Sequence, residues 1–367
     1  VAGIEVSLDE AAAEAARLLS VANLPVIGGC ATDVNGMRAL LSLAERCGAV
    51  VDNMNFSAAR RNFLTLQDSG WMTTTLAEVK NRCDLLLVFG VDLEAFAPRF
   101  FERYVWNQTA MFLDDTSQRE IIYLGTAPSG EASTAPGGKK ATVLKCATEQ
   151  LPEVVAVLRA LVKGKSISVD SVAGIPVSAL QAIAEKLQAA NYGVITWAAA
   201  ALDYCQAELT VQTLCEMIVD VNKQGARCSG FPLGGKEGDQ TANQVCGWIT
   251  AYPARTRFSS GFPEYDPYLN DCQFLLANGE ADTLVWVQAF NAAALPPATD
   301  IPKIVIARSG MCFEQEPEVF IPIGTPGIDH AGHAYRLDNV VAIRLRKLRD
   351  SGLPSTCEAL SAIEQAY

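Results

Sequence analysis

His330 and His333 are the only histidines in the chain and stand three residues apart. At that spacing two imidazoles can serve one metal ion. Gly332 lies between them, however, and no cysteine or carboxylate partner stands out, so a loop pair is the simpler reading. The arginines are the next candidates: Arg60–Arg61, Arg99 with Arg103, and Arg255 with Arg257 fall in segments that follow short apolar runs. A guanidinium suits bidentate binding of carboxylate or phosphate, so Arg60, Arg61 and Arg255 are candidate contacts for an anionic ligand. Ordinary ion pairing within an acidic chain is the competing account. Asp114 and Asp115 are neighbours in sequence, which does not make them an acid/base pair. Ser57 has no local base and no nucleophile-elbow context. The eleven cysteines are never closer than Cys205 and Cys215, so no zinc or iron–sulfur ladder is spelled out. The residue types alone reveal no catalyst.

The elements that must position these residues alternate. "SLDEAAAEAARLLSVA" reads as a capped helix, "LPVIGGC" as a buried strand, "NGMRALLSLAERCG" as an amphipathic helix stopped by Gly48, and "AVVDN" as a second strand. The stretch from Asn53 to Gln67 then reads as a polar loop after that strand. "TTTLAEVKNR" is a Thr-capped helix and "CDLLLVFG" a buried strand, and helix and strand patterns continue through "ELTVQTLCEMIVDVNKQG" to a glycine-rich loop, "FPLGGKEGDQTANQ". Beyond it the pattern restarts, and "LANGEADTLVWVQAFN" echoes "AEVKNRCDLLLVFGVD". The expectation is α/β, with two Rossmann-like parallel-sheet domains. Neither "GGC" nor "LGGKEG" fits G-x-G-x-x-G, so a nicotinamide cofactor has little support. "SGFPEYDPYLN" reads as a rigid surface loop.

Composition sets outer limits. At 367 residues the chain exceeds the roughly 250–300 that one core sustains, so two domains are expected. Half the residues are apolar and the net charge is −12, which argues against a general nucleic-acid or anionic-membrane binder. No apolar run approaches the roughly 20 residues of a spanning helix. The first residues lack a basic region followed by an apolar core, so the expectation is a cytoplasmic protein with reduced cysteines.

Five stretches in the same order, "VDNMNFSAARRNFLTLQDSGW", "TLAEVKNRCDLLLVFGVDLEAFAPRFFERY", "ANQVCGWITAYPARTRFSSGFPEYDP", "LLANGEADTLVWV" and "GHAYRLDNVVAIRLRK", resemble the B subunit of formylmethanofuran dehydrogenase. That family belongs to the molybdopterin and tungstopterin oxidoreductases related to formate dehydrogenase. The resemblance implies a fold of that type in which 1–57 joins 245–367 as one discontinuous domain and 58–244 forms the other. In the family a metal-ligating Cys is followed by His; the matching positions here are Ala58 and Ala59. An Arg of the family's glycine-rich loop is matched by Gly234, and the family's N-terminal cysteine cluster has no counterpart, so the iron–sulfur domain is expected to be lacking. With these donors gone, neither the pterin–metal cofactor nor the iron–sulfur cluster is expected.

That pattern resembles the B subunit of the formyltransferase/hydrolase complex of methylotrophic bacteria. The resemblance implies a scaffold-type subunit of the assembly that converts formyl-tetrahydromethanopterin to formate by way of a methanofuran-type carrier in formaldehyde oxidation. Its companions would be an amidohydrolase-like A subunit, a C subunit and a formyltransferase D subunit. An active molybdo- or tungstopterin dehydrogenase subunit, for which Cys30 or Cys83 would have to reach the metal, is one alternative. A subunit that binds the carrier's polyglutamate tail through Arg60, Arg61 or Arg255 is another.

Overall fold

A computed structural model describes residues 1–234 and 236–367. The first leg runs α1 (Leu8–Val21), β1 (Pro25–Ala31), α2 (Val34–Cys47) and β2 (Val50–Val51), then enters α3 (Phe56–Ser69). Next come α4 (Leu76–Arg82), β3 (Leu85–Phe89), the short α5 (Leu93–Phe96), β4 (Glu120–Gly125), β5 (Thr142–Lys145) and α6 (Leu151–Val162). A small hairpin, β6 (Ser171–Val172) and β7 (Ile175–Pro176), leads to α7 (Val177–Ala189), β8 (Gly193–Ala198), α8 (Ala207–Lys223) and β9 (Cys228–Leu233). The return leg is α9 (Asp239–Thr250), β10 (Thr256–Arg257), β11 (Glu264–Tyr265), α10 (Cys272–Ala277), β12 (Thr283–Gln288), β13 (Lys303–Arg308) and β14 (Val319–Ile323). A hairpin of β15 (Gly332–Tyr335) and β16 (Ala342–Leu345) precedes α11 (Thr356–Ala366). Among the described residues no helix is long and apolar enough to cross a membrane.

The chain forms two compact units, Val1–Ser57 with Gly235–Tyr367, and Ala58–Gly234. In the first, the sheet order is β11-β10-β2-β1-β12-β13-β14, parallel from β2 to β14 and antiparallel at β10 and β11. Strand β1 is buried at every position, as a strand covered on both faces must be. Ile27, Val285, Val287, Ile304 and Ile306 form one core with residues of α1, α2, α9 and α11. Their neighbours Val26 and Leu284 turn to the opposite face and meet Cys272 and Leu275 of α10, the two-residue alternation of a pleated strand. The second unit is an all-parallel sheet of order β5-β4-β3-β8-β9. Leu85, Leu87, Phe89, Ile195 and Trp197 join α6, α7 and α8 in its core.

Two stretches read as loops carry regular structure. The segment after β2 becomes α3 at Phe56, because Asn53 closes a local turn by accepting from the Asn55 amide at 2.8 Å. Phe56, Ala59 and Phe63 then recur at helical spacing. In the glycine-rich stretch, Phe231–Leu233 complete β9 and Asp239 opens α9. The second crossing therefore falls at 234/235 rather than 244/245: Ala242, Val245 and Cys246 of α9 belong to the core of the first unit.

Candidate functional site

In an open parallel sheet, ligands gather outside the carboxyl ends of strands where the connection reverses direction. In the first unit that point lies between β1 and β12. Strand β1 ends irregularly: its register with β12 shifts between Gly28 and Ala31, and Gly29 and Cys30 both have positive φ, 75° and 56°. Gly29 is required there, since a Cβ would lie 2.6 Å from the Val287 carbonyl oxygen. Strand β12 ends at Gln288, whose side-chain oxygen accepts from the amides of Phe290 (3.1 Å) and Asn291 (3.2 Å). Its Nε2 donates to the Glu237 carboxylate at 3.1 Å, and Asn291 Nδ2 donates to the other carboxylate oxygen at 2.6 Å. Glu237 adopts φ 53° to reach this position. The adjoining Gly238 runs so close to β1 that a Cβ would come within 3.1 Å of the Thr32 carbonyl oxygen. Asn55 Nδ2 donates to the Lys236 carbonyl at 3.2 Å. The chain's own 236–238 segment, with a carboxylate foremost, thus occupies the reversal point of this sheet. A negative group here repels a phosphate or pyrophosphate.

Beside it lies a buried ionic knot. Arg255 is 1% exposed, has φ 67°, and is held by its amide donating to the Val51 carbonyl at 2.7 Å. Its guanidinium pairs with Asp52 at 3.3 Å and with Asp271, donates to Ser57 Oγ at 2.7 Å and to the Pro267 carbonyl, and lies over the Phe56 ring at 5.1 Å. Asp52 also accepts from the Cys272 amide at 2.9 Å. Burial pushes the Asp52 carboxyl up to about 7, against the downward pull of Arg255. Arg255 is therefore committed internally and is removed from the set of candidate anion contacts. The "SGFPEYDPYLN" stretch is part of this knot: Asn270 Nδ2 donates to the carbonyls of Arg255 and Glu264, both at 3.1 Å.

In the second unit the reversal point lies between β3 and β8. Arg61, on α3, donates to the Ala199 carbonyl at the end of β8 and to Asp203, both at 2.7 Å. Arg61 is 14% exposed and Asp203 87%, so the pair faces solvent on its acidic side. Next along the helix, Asn62 accepts from the Trp197 indole at 3.0 Å. Ala58 and Ala59 sit half-buried in the first turn of the same helix, as does Arg60 one residue on. Gly234 directly follows β9.

The remaining sequence candidates scatter. His330 Nδ1 lies 3.0 Å from the Ala331 carbonyl, whereas His333 stands exposed on β15. Among the described residues no group of three or more His, Cys, Asp or Glu side chains could hold a metal ion. Asp115 caps a short turn, accepting from the Ser117 amide at 2.8 Å, and Arg99 pairs with Glu102. Cys30 and Cys83 are buried, their thiols lying 3.3 Å from the carbonyls of Asp52 and Leu85, and burial pushes the Cys83 thiol up to about 12. Such thiols are poor ligands and poor nucleophiles. The sequence reading missed Glu237, Gln288 and Asn291; the tight "GGKEG" run was the available signal that backbone must pass close to something there.

Two α/β units, each built on a mainly parallel sheet with polar groups gathered at its reversal point, define a protein of doubly wound build. No family model matches the sequence. The chain is 30% identical over 353 residues to the B subunit of the tungsten-containing formylmethanofuran dehydrogenase 2 of Methanocaldococcus jannaschii, spanning 94% of this chain and 80% of that protein. It is 27% identical over 338 residues to the B subunit of the formyltransferase/hydrolase complex Fhc of Methylorubrum extorquens, spanning 89% of this chain and 85% of that one. The chain belongs to the family of formylmethanofuran dehydrogenase B subunits. In three dimensions it matches, at a TM-score of 0.81 and 25% identity, a chain in the crystal structure of the formyltransferase/hydrolase complex FhcABCD from M. extorquens in complex with methylofuran. The match covers 100% of this chain and 97% of that one.

The tungsten in the name of the M. jannaschii relative invites a test of fit. A protein ligand to such a metal must offer a sulfur, oxygen or nitrogen atom, and the methyl groups of Ala58 and Ala59 offer none. At the β1/β12 reversal point the Glu237 carboxylate, held by Gln288 and Asn291, is an unfavourable neighbour for a phosphate. The residues present do not fit a metal–pterin cofactor.

Proposed function

We propose that this chain is the B-type subunit of a cytoplasmic formyltransferase/hydrolase complex, serving one-carbon transfer from formyl-tetrahydromethanopterin through a methanofuran-type carrier to formate. Within that assembly it acts as a scaffold of molybdopterin-oxidoreductase descent that carries no redox chemistry of its own. The observation that carries the reading is the end-to-end match to a chain of the four-subunit complex. The donor-free Ala58 and Ala59 and the carboxylate of Glu237 support the loss of redox function. The test is metal analysis of the protein purified with its co-eluting chains from cells supplied with tungstate and molybdate. The expected result is less than about 0.1 metal per chain, together with formyltransferase and amidohydrolase-like partners in the mass spectrum; stoichiometric tungsten or molybdenum would overturn it.

A redox-active dehydrogenase subunit is the second reading, favoured by the higher identity to a tungsten-containing relative, 30% against 27%. The same metal analysis separates the two. A third reading, binding of the carrier's polyglutamate tail, draws support from the methylofuran held by the matched complex. It rests on Arg60 and Arg61, since Arg255 is spent within the first unit. Unchanged carrier retention after Arg60→Ala and Arg61→Ala would remove it.

A further inference from the structure

In the hairpin β15–β16 of the first unit, β16 is exposed at three of its four positions. Strand β15 is seated: the Tyr335 amide donates to Thr241 Oγ1 of α9 at 2.9 Å, the Tyr335 ring lies 5.8 Å from that of Trp248, and Gly332 presses close to Asp33. Among the described residues strand β16 pairs only with β15, which leaves its other edge without a strand, and Ala342, Ile343 and Arg344 are all exposed. A two-stranded hairpin with one strand largely exposed has little to hold it in water, and an edge without a neighbouring strand is a ready template for association. Around it Val340 (55% exposed), Ile343 (42%) and Leu348 (75%) hold large apolar groups in solvent.

The charge of the same stretch runs against that of the chain. From Arg336 to Asp350, Arg336, Arg344, Arg346, Lys347 and Arg349 stand against two carboxylates, Asp338 and Asp350, in a chain of net charge −12. Arg336 pairs with Asp338, Lys347 with Asp350 and Arg349 with Asp329. No carboxylate of the described residues lies at ion-pairing distance from Arg344 or Arg346.

We infer that β16 and the residues up to Leu348 form a docking arm for a companion subunit that presents an acidic surface with an apolar strip at its centre. Carboxylates of the partner meet Arg344 and Arg346, while Val340, Ile343 and Leu348 pass out of water. A protein partner is favoured over nucleic acid because the rest of this chain repels polyanions, and over a lipid surface because the apolar residues lie along a strand edge. The inference rests on the reading of this chain as one member of a larger complex.

The test is co-expression of the full chain with the other three subunits of the formyltransferase/hydrolase complex, as wild type and as R344E/R346E. The double variant is expected to weaken assembly at least tenfold at low salt while the isolated chain melts as wild type does. Independently, hydrogen exchange on the wild type is expected to show slower exchange at residues 340–348 in the complex than in the isolated chain. Unchanged assembly of the variant, or equal exchange in both states, overturns the arm. So does dimerisation of the lone chain, or its retention on duplex DNA or anionic vesicles, if R344E/R346E abolishes it while assembly stays intact. A wild-type chain that binds none of the three subunits overturns the complex-subunit reading, and the arm with it. A wild type that assembles alongside an unaffected variant overturns the arm alone.

Discussion

At the scale of single residues the Arg255 knot has the largest energetic leverage. Two carboxylates and a hydroxyl converge on one buried guanidinium, and removing the cation leaves buried Asp52 and half-buried Asp271 without their cationic partner. Arg255→Ala is expected to destabilise the chain by about 3–5 kcal/mol, read from urea unfolding of the first unit. Arg255→Lys should recover only part of that, because an ammonium cannot span Asp52, Asp271 and Ser57 together. Asp52 gives a pH dependence with a definite sign. In the folded chain it keeps its proton up to about pH 7, whereas its ordinary value is 3.8. Between those limits the folded state binds more protons than the unfolded one, so the contribution of Asp52 to stability is present below pH 4 and declines as pH rises through 7. Asp52→Asn is expected to flatten the melting temperature over pH 4–7 relative to the parent; an unchanged slope would refute this account of Asp52.

At the scale of elements, helix ends and strand ends decide what could be read in advance. Helix α11 opens with Ser355, whose hydroxyl accepts from the Glu358 amide at 3.2 Å while the Glu358 carboxylate accepts from the Ser355 amide at 2.7 Å. Ser355→Ala should cost about 1 kcal/mol, measurable by chemical denaturation because α11 covers α1 and α2. Gly238→Ala should cost more, since the new Cβ meets the Thr32 backbone and φ is 83°. Its effect should appear as loss of the Glu237 contacts by NMR of the Gln288 and Asn291 side-chain amides. The strands were legible because β1, β3, β8, β12 and β13 are nearly unbroken apolar runs, and most helices because their caps and periods agree. Helix α3 was not, because its polar opening turn hides a stop-and-restart governed by Asn53. The roles of Arg255 and Glu237 were illegible for a different reason. Arg255 meets Asp52 from 203 residues away and Glu237 meets Gln288 from 51, and no local pattern reports a partner at that distance.

At the scale of the whole molecule, each unit has its own sheet and its own core, and the second is one continuous stretch. The excised fragment 58–234 is expected to fold alone, with a single cooperative transition by circular dichroism; a broad, non-cooperative melt would show that its core is insufficient. The first unit has no such option, since β1 pairs with β12 and α11 lies against α1 and α2. That arrangement sets an order of events on the ribosome. The inserted unit is complete once β9 has emerged, while α1, β1, α2 and β2 must wait, apolar faces uncovered, until β12, β13, β14 and finally α11 are synthesised. These elements are made before the inserted unit and buried after it, so nascent-chain chaperones have a long opportunity to hold them.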